Sequence, residues 1–223
     1  HYYGTDMQKK RNIQKLIKFL SLHHIKHLSN EQEQHILNAP YSSNPLYIKC
    51  IVEEICTWGI RTQLKEYIDK LTKKDLYNVF NLILNRAEND YSYCKIDSHY
   101  AVLTVLGLLS YSRYGLSEER FIRAGKYFLQ SIMSSDKQKY MNIYDADIIE
   151  VIHYYMYQFK HFLIFSYKRV DILYDSFRSL CQQRYAIYQK KYHRALALAY
   201  KEDMDAKYLS EIRVSEAYLE WPY

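Results

Sequence analysis

Apolar positions recur every three to four residues along most of this 223-residue chain, and strict alternation is rare. That period belongs to amphipathic helices rather than to half-buried strands. Ile13, Leu16, Ile17, Phe19 and Leu20 predict a helix over 11–28. Ser29-Asn30-Glu31-Gln32 has the form of a capping box, Ser29 capping and Gln32 reaching back, and opens a short helix ending near Leu37. Ala39-Pro40-Tyr41-Ser42-Ser43 predicts a loop. The next helix, 45–58, has Asn44 as N-cap, Pro45 at the first position and Gly59 to stop it. Leu64, Ile68 and Leu71 predict a helix over about 61–71. Thr72 with Asp75 three residues on marks another start, and Leu76, Val79, Phe80, Ile83, Leu84 and Ala87 follow it at helical spacing.

The stretch 99–112 is apolar nearly all round, which predicts a buried central helix with Leu103, Leu106 and Leu109 in the core. Arg113-Tyr114-Gly115 turns the chain, and Ser117 caps a helix opening Glu118-Glu119, a helix-turn-helix outline. Residues 134–147 predict a loop and 148–158 a helix. Phe162-Leu163-Ile164-Phe165-Ser166 is the best strand candidate. Residues 168–200 predict helix, followed by the charged stretch 201–205 and a last short helix before Trp221-Pro222-Tyr223. The expectation is a mainly α protein: a small helical domain over 1–71, a winged-helix domain over 72–180 and helices over 181–223.

Five Gly and three Pro leave little material for hairpins or flexible linkers, which agrees with helices. The 26 Tyr reflect a compositionally biased genome more simply than a dedicated surface. Net charge is +6, with Lys and Arg scattered rather than gathered on one element, which favours solubility over nucleic-acid binding. Cys50, Cys56, Cys94 and Cys181 lack C-x-x-C spacing and lie in apolar contexts, as reduced intracellular thiols do. No window of 18 uninterrupted apolar residues and no signal-peptide pattern occurs, so the expected location is cytoplasmic. The start at His1, without Met, suggests a piece of a longer protein.

Catalytic patterns are missing. The five glycines form no phosphate loop, and no G-x-G-x-x-G, G-x-S-x-G or H-E-x-x-H occurs. His23 and His27 share a helix face at metal-competent spacing, yet no Asp, Glu or Cys joins them, so no metal site is assigned. Glu53-Glu54 is expected at an exposed helix edge. No catalytic centre is expected in this chain.

Three blocks do carry a family resemblance: the run from Ser43-Asn44-Pro45-Leu46-Tyr47 through Glu53-Glu54-Ile55 to Trp58-Gly59, the run from Leu82 to Tyr91, and the run from Val105 to Glu118. Phe165-Ser166-Tyr167, Tyr192-His193 and Glu220-Trp221-Pro222-Tyr223 extend it. In order and spacing these blocks resemble the NACHT class of STAND P-loop NTPases, in the branch of nephrocystin-like and telomerase-associated proteins with TPR or WD40 repeats. The resemblance implies a helical lid, a winged helix and the run-up to repeats, with the P-loop core preceding His1. ATP or ADP would then enter only with that core. It also implies that Pro45, turned by Asn44, lies against the nucleotide base. Where many relatives carry a phosphate-contacting His, this chain has Tyr167, a phenol that cannot become cationic.

The resulting expectation is a regulatory and interaction segment, partnered by its own P-loop core, by C-terminal repeats and by other proteins of a large assembly. A scaffold segment that no longer switches, within a large ciliary, axonemal or other cytoskeleton-associated complex as the resemblance allows, is the alternative. Nucleic-acid binding is disfavoured because the expected recognition helix opens with Glu118-Glu119.

Overall fold

The computed structural model describes residues 6–22, 28–57, 63–90, 96–133 and 144–205. The expected stop at Gly59, the His23/His27 pair, Cys94, most of the 134–147 loop and the last short helix all lie outside the described residues. The fold is mainly α, and the described residues include a three-stranded antiparallel sheet. The chain divides into two compact units, 1–85 and 86–223.

In the first unit, α1 (Asp6–Leu22), α2 (Asn30–Leu37), α3 (Pro45–Thr57) and α4 (Leu64–Thr72) surround a core that includes Ile17, Ile36, Ile48, Ile51 and Leu71. The Ser29 capping box forms as predicted, with the Gln32 N–H donating to Ser29 Oγ and the Ser29 N–H to Gln32 Oε1. α5 (Leu76–Asn89) starts three residues later than the sequence suggested. Thr72 closes α4, its hydroxyl donating to the Ile68 carbonyl, and Asp75 caps α5 by accepting from the Asn78 N–H.

The second unit holds the expected central helix as α6 (Ser98–Val102), a π-helical turn (Leu103–Gly107) and α7 (Leu108–Tyr111). Leu103, Leu106 and Leu109 are buried as expected. The π-turn has a packing partner. Gly107 faces the Tyr192 ring so closely that a Cβ would lie 2.2 Å from it, and the Tyr192 hydroxyl donates to the Leu103 carbonyl. Tyr192 sits on α11 (Gln189–Asp205), stacked against Phe128 and Tyr111.

Gly115, at φ +71, turns the chain into β1 (Leu116–Ser117), and Ser117 then caps α8 (Glu118–Ile132). A strand thus separates the two helices that the sequence joined by a plain turn. α9 (Asp145–Gln158), β2 (Leu163–Ser166), β3 (Arg169–Ile172) and α10 (Asp175–Arg184) follow. The strand predicted at 162–166 is present. The helix expected from 168 is not: Arg169–Ile172 is β3, and helix resumes only at Asp175. The strand order is β1-β3-β2, so β3 is central and β2 is an edge. From α10, Arg178 ties this sheet to the end of α7, donating to the Leu109 and Ser112 carbonyls and pairing with Asp171 of β3.

Candidate functional site

At the start of α3, Asn44 Oδ1 accepts from the Leu46 N–H at 2.9 Å and from the Tyr47 N–H at 3.4 Å, while the Asn44 carbonyl takes the Ile48 N–H. Pro45 follows at the first helical position with its ring exposed. Tyr47 is buried, and its hydroxyl donates to the Thr72 carbonyl at 3.1 Å, so α3 is tied to the end of α4. Burial pushes that phenol up to about 12. The cap uses two of the free N–H groups of the first turn, so no open anion cradle remains on them; the exposed proline ring is what a flat base could lie on.

The expectation for Glu53-Glu54 fails. Both are buried, and Glu54 accepts a 2.6 Å hydrogen bond from the Tyr67 hydroxyl. The cause is tertiary: α4 presents Tyr67 to what pattern alone marks as the polar edge of α3. Cys50, Cys56 and Cys181 are buried thiols, and burial pushes Cys50 up to about 12, which leaves it a poor nucleophile.

Tyr167, the other residue carried by the resemblance, lies in the second unit at the tip of the β2–β3 hairpin. Ser166 pairs with Arg169, leaving Tyr167 and Lys168 as a two-residue loop. Their φ values are +44 and +67, the signature of a type I′ turn, which normally takes Asn-Gly. Neither residue is glycine, and both side chains are exposed, Tyr167 completely.

Behind this hairpin lies an open cavity of about 320 Å³. Phe121 of α8, Ile152 and Met156 of α9 and Val170 of β3 supply apolar lining, and Glu118, Lys168 and Arg169 supply charge. Phe165 and Val170 are cross-strand partners on one face of the sheet, yet Val170 is buried while Phe165 is 57% exposed. Glu118 and His153 form a contact of 2.9 Å. Sequence reasoning singled out Tyr167 but missed this cavity. The signal available was the unbroken apolar run Phe162–Phe165, longer than one buried face of a short strand requires.

A buried cluster elsewhere in the second unit is structural. Glu88, at the end of α5, receives the Arg184 guanidinium at 2.6–2.8 Å and the Tyr185 hydroxyl at 2.7 Å. Burial alone would raise its carboxyl, but those donors outweigh it and hold it below the usual value. Among the described residues no group of three or more His, Cys, Asp or Glu could hold a metal, and no helix is long and apolar enough to cross a membrane.

Comparison with protein-family models, with curated proteins and with solved structures returns no match to this chain.

Proposed function

We propose that this chain is a regulatory and interaction segment of a NACHT-class STAND NTPase, with residues 98–172 as its winged helix. The observation that carries this reading is the element order. A helix (α6 to α7), a short strand, two helices and a hairpin follow one another, with the sheet ordered β1-β3-β2. The hairpin then corresponds to the wing, and α9, which immediately precedes it, to the helix that DNA-binding relatives of this topology use for recognition.

That correspondence moves the nucleic-acid argument from α8 to α9. α9 contains Asp145, Asp147 and Glu150 and no Lys or Arg, so it offers phosphates nothing. A protein partner suits it better. In this reading Pro45 meets the base of an ATP or ADP held by the preceding P-loop core, and the nucleotide biases which surfaces are open to other proteins. The non-switching scaffold remains the second reading, supported by Tyr167 standing where a cationic side chain would hold a phosphate.

The test is nucleotide binding by the full-length protein. Pro45→Ala removes a rigid contact of roughly 40 Å², worth about 1 kcal/mol or ~5-fold in ADP affinity. Tyr167→Phe changes affinity less than about twofold, the phenol being exposed. Unaltered ADP affinity in the Pro45 variant leaves only the capping role, and a full-length protein that binds no nucleotide selects the scaffold.

A further inference from the structure

Among the described residues, no strand pairs with the outer edge of β2. The Leu173 N–H donates to the Phe162 carbonyl, and Ser166 pairs with Arg169 at the two-residue loop. Antiparallel ladders alternate, so Ile164 and Ser166 turn their backbone groups toward β3, while Leu163 and Phe165 turn theirs away. The Leu163 N–H is used within the preceding 3₁₀ turn, on the Lys160 carbonyl. That leaves the Leu163 carbonyl and both backbone groups of Phe165, which no described strand pairs. Edge strands are ordinarily blunted by charge, proline or a bulge. This one carries Ile164 at 44% and Phe165 at 57% exposure, and Phe165 also borders the cavity.

We propose that the β2 edge and its adjoining cavity bind an extended acidic peptide of a protein partner. The peptide adds a strand to β2 and seats one large apolar side chain in the cavity. The inference rests on the interaction half of the preceding reading and on nothing about nucleotide.

Charge selects the occupant. Cations flank β2 at both ends, Lys160 before it and Lys168 with Arg169 after it. A second copy pairing antiparallel through β2 would set the Lys168 end of one strand beside the Lys160 end of the other, like against like. A nucleic-acid strand carries a charge at every unit, and so would bring phosphates against Glu118 at the cavity rim. A peptide can be acidic at its ends and apolar in the middle. The loop itself adds to the case. Two non-glycine residues held at positive φ are costly, and such costs concentrate where a surface is used.

The test is an NMR titration of the 223-residue chain, following backbone amides. The probe is Ac-Glu-Asp-Val-Phe-Val-Asp-Glu-amide, compared with its Lys/Arg charge-reversed form, a form N-methylated at alternate amides, and a 12-nucleotide oligo-dT. The acidic peptide is expected to shift the amides of residues 163–166 with a Kd of about 100 µM, weak because few backbone bonds form and the peptide must be ordered. N-methylation weakens it by about tenfold or more through the lost pairing. Lys168→Glu weakens it about threefold. Phe165→Pro abolishes it by removing the outward N–H while sparing the bonds to β3. If Phe165→Pro unfolds, Lys168→Glu and the N-methyl peptide still decide.

No shift at 2 mM peptide, on the order of twenty times the expected Kd, overturns the proposal. Equal binding of the charge-reversed peptide also overturns it, as does tighter binding of oligo-dT at the same amides, which would assign the edge to nucleic acid. Since no arm contains ATP or ADP, failure here leaves the ADP measurement untouched, and failure of that measurement leaves this one standing.

Discussion

The start of α3 and the tip of the β2–β3 hairpin are both short turns, and they were built by opposite rules. At the first, each residue suits its place: Asn44 caps, Pro45 takes the position that needs no N–H, and buried Tyr47 anchors the turn to α4. At the second, neither residue suits its place: Tyr167 and Lys168 occupy the left-handed region, where L side chains crowd their own backbone. Agreement between residue and backbone needs no explanation beyond stability. Disagreement does, because Asn-Gly would hold the same hairpin at lower cost. The hairpin is therefore the better place to look for a surface kept for use, and the α3 start the better place to look for a contact that function has merely borrowed.

The core sets the scale against which both turns are judged. Leu106→Ala should cost about 2–5 kcal/mol in chemical denaturation, since the side chain is fully buried. Gly107→Ala should fall in the same range, at about 3 kcal/mol, because Tyr192 is held by two stacked rings and cannot yield to the added methyl. A small effect at both positions would mean that the turns cannot be judged as minor perturbations of a firm core.

Replacing the tip residues, Tyr167→Asn with Lys168→Gly, should stabilise the protein by about 2 kcal/mol, as the left-handed strain of two residues is relieved. A neutral or destabilising result removes the contrast between the turns. Asn44→Ala should destabilise by about 1 kcal/mol, the ordinary worth of a cap. A loss above roughly 2 kcal/mol would mean that Asn44 does more than cap.

Acid supplies the finest test, with an expected effect of zero on the difference between parent and tip variant. Glu88 is held below its ordinary 4.5 in the fold, so its contribution is present above that value and fades as pH falls through the lower folded value. Melting temperatures of parent and tip variant should therefore fall together below about pH 4.5, their separation unchanged. A separation that narrows with acid would show that the tip's cost is electrostatic rather than steric.

The same contrast explains what could be read in advance. Both turns are local, yet only the α3 start announces itself, because caps act within four residues. The hairpin was missed because Tyr-Lys is no turn signal and because Arg169-Val170-Asp171-Ile172, too short for a pattern of its own, adjoins a long helical stretch. β3 exists because it is held between β1 and β2.

By itself, then, the sequence determined the helical class, the caps at Ser29, Asn44 and Ser117, the buried face around Leu106 and the strand at 163–166. Each of these depends on neighbours within one or two turns. Tertiary structure alone decided the rest. Glu54 is buried because Tyr67 reaches it from another helix, and Glu88 is charged and enclosed because Arg184, 96 residues away, meets it. The division of the chain falls inside the sequence-continuous α5, and the outer edge of β2 beside its cavity arises only when the hairpin folds. Desolvation, ion pairing and strand pairing draw on partners distant in sequence, and no local pattern records which partner will arrive.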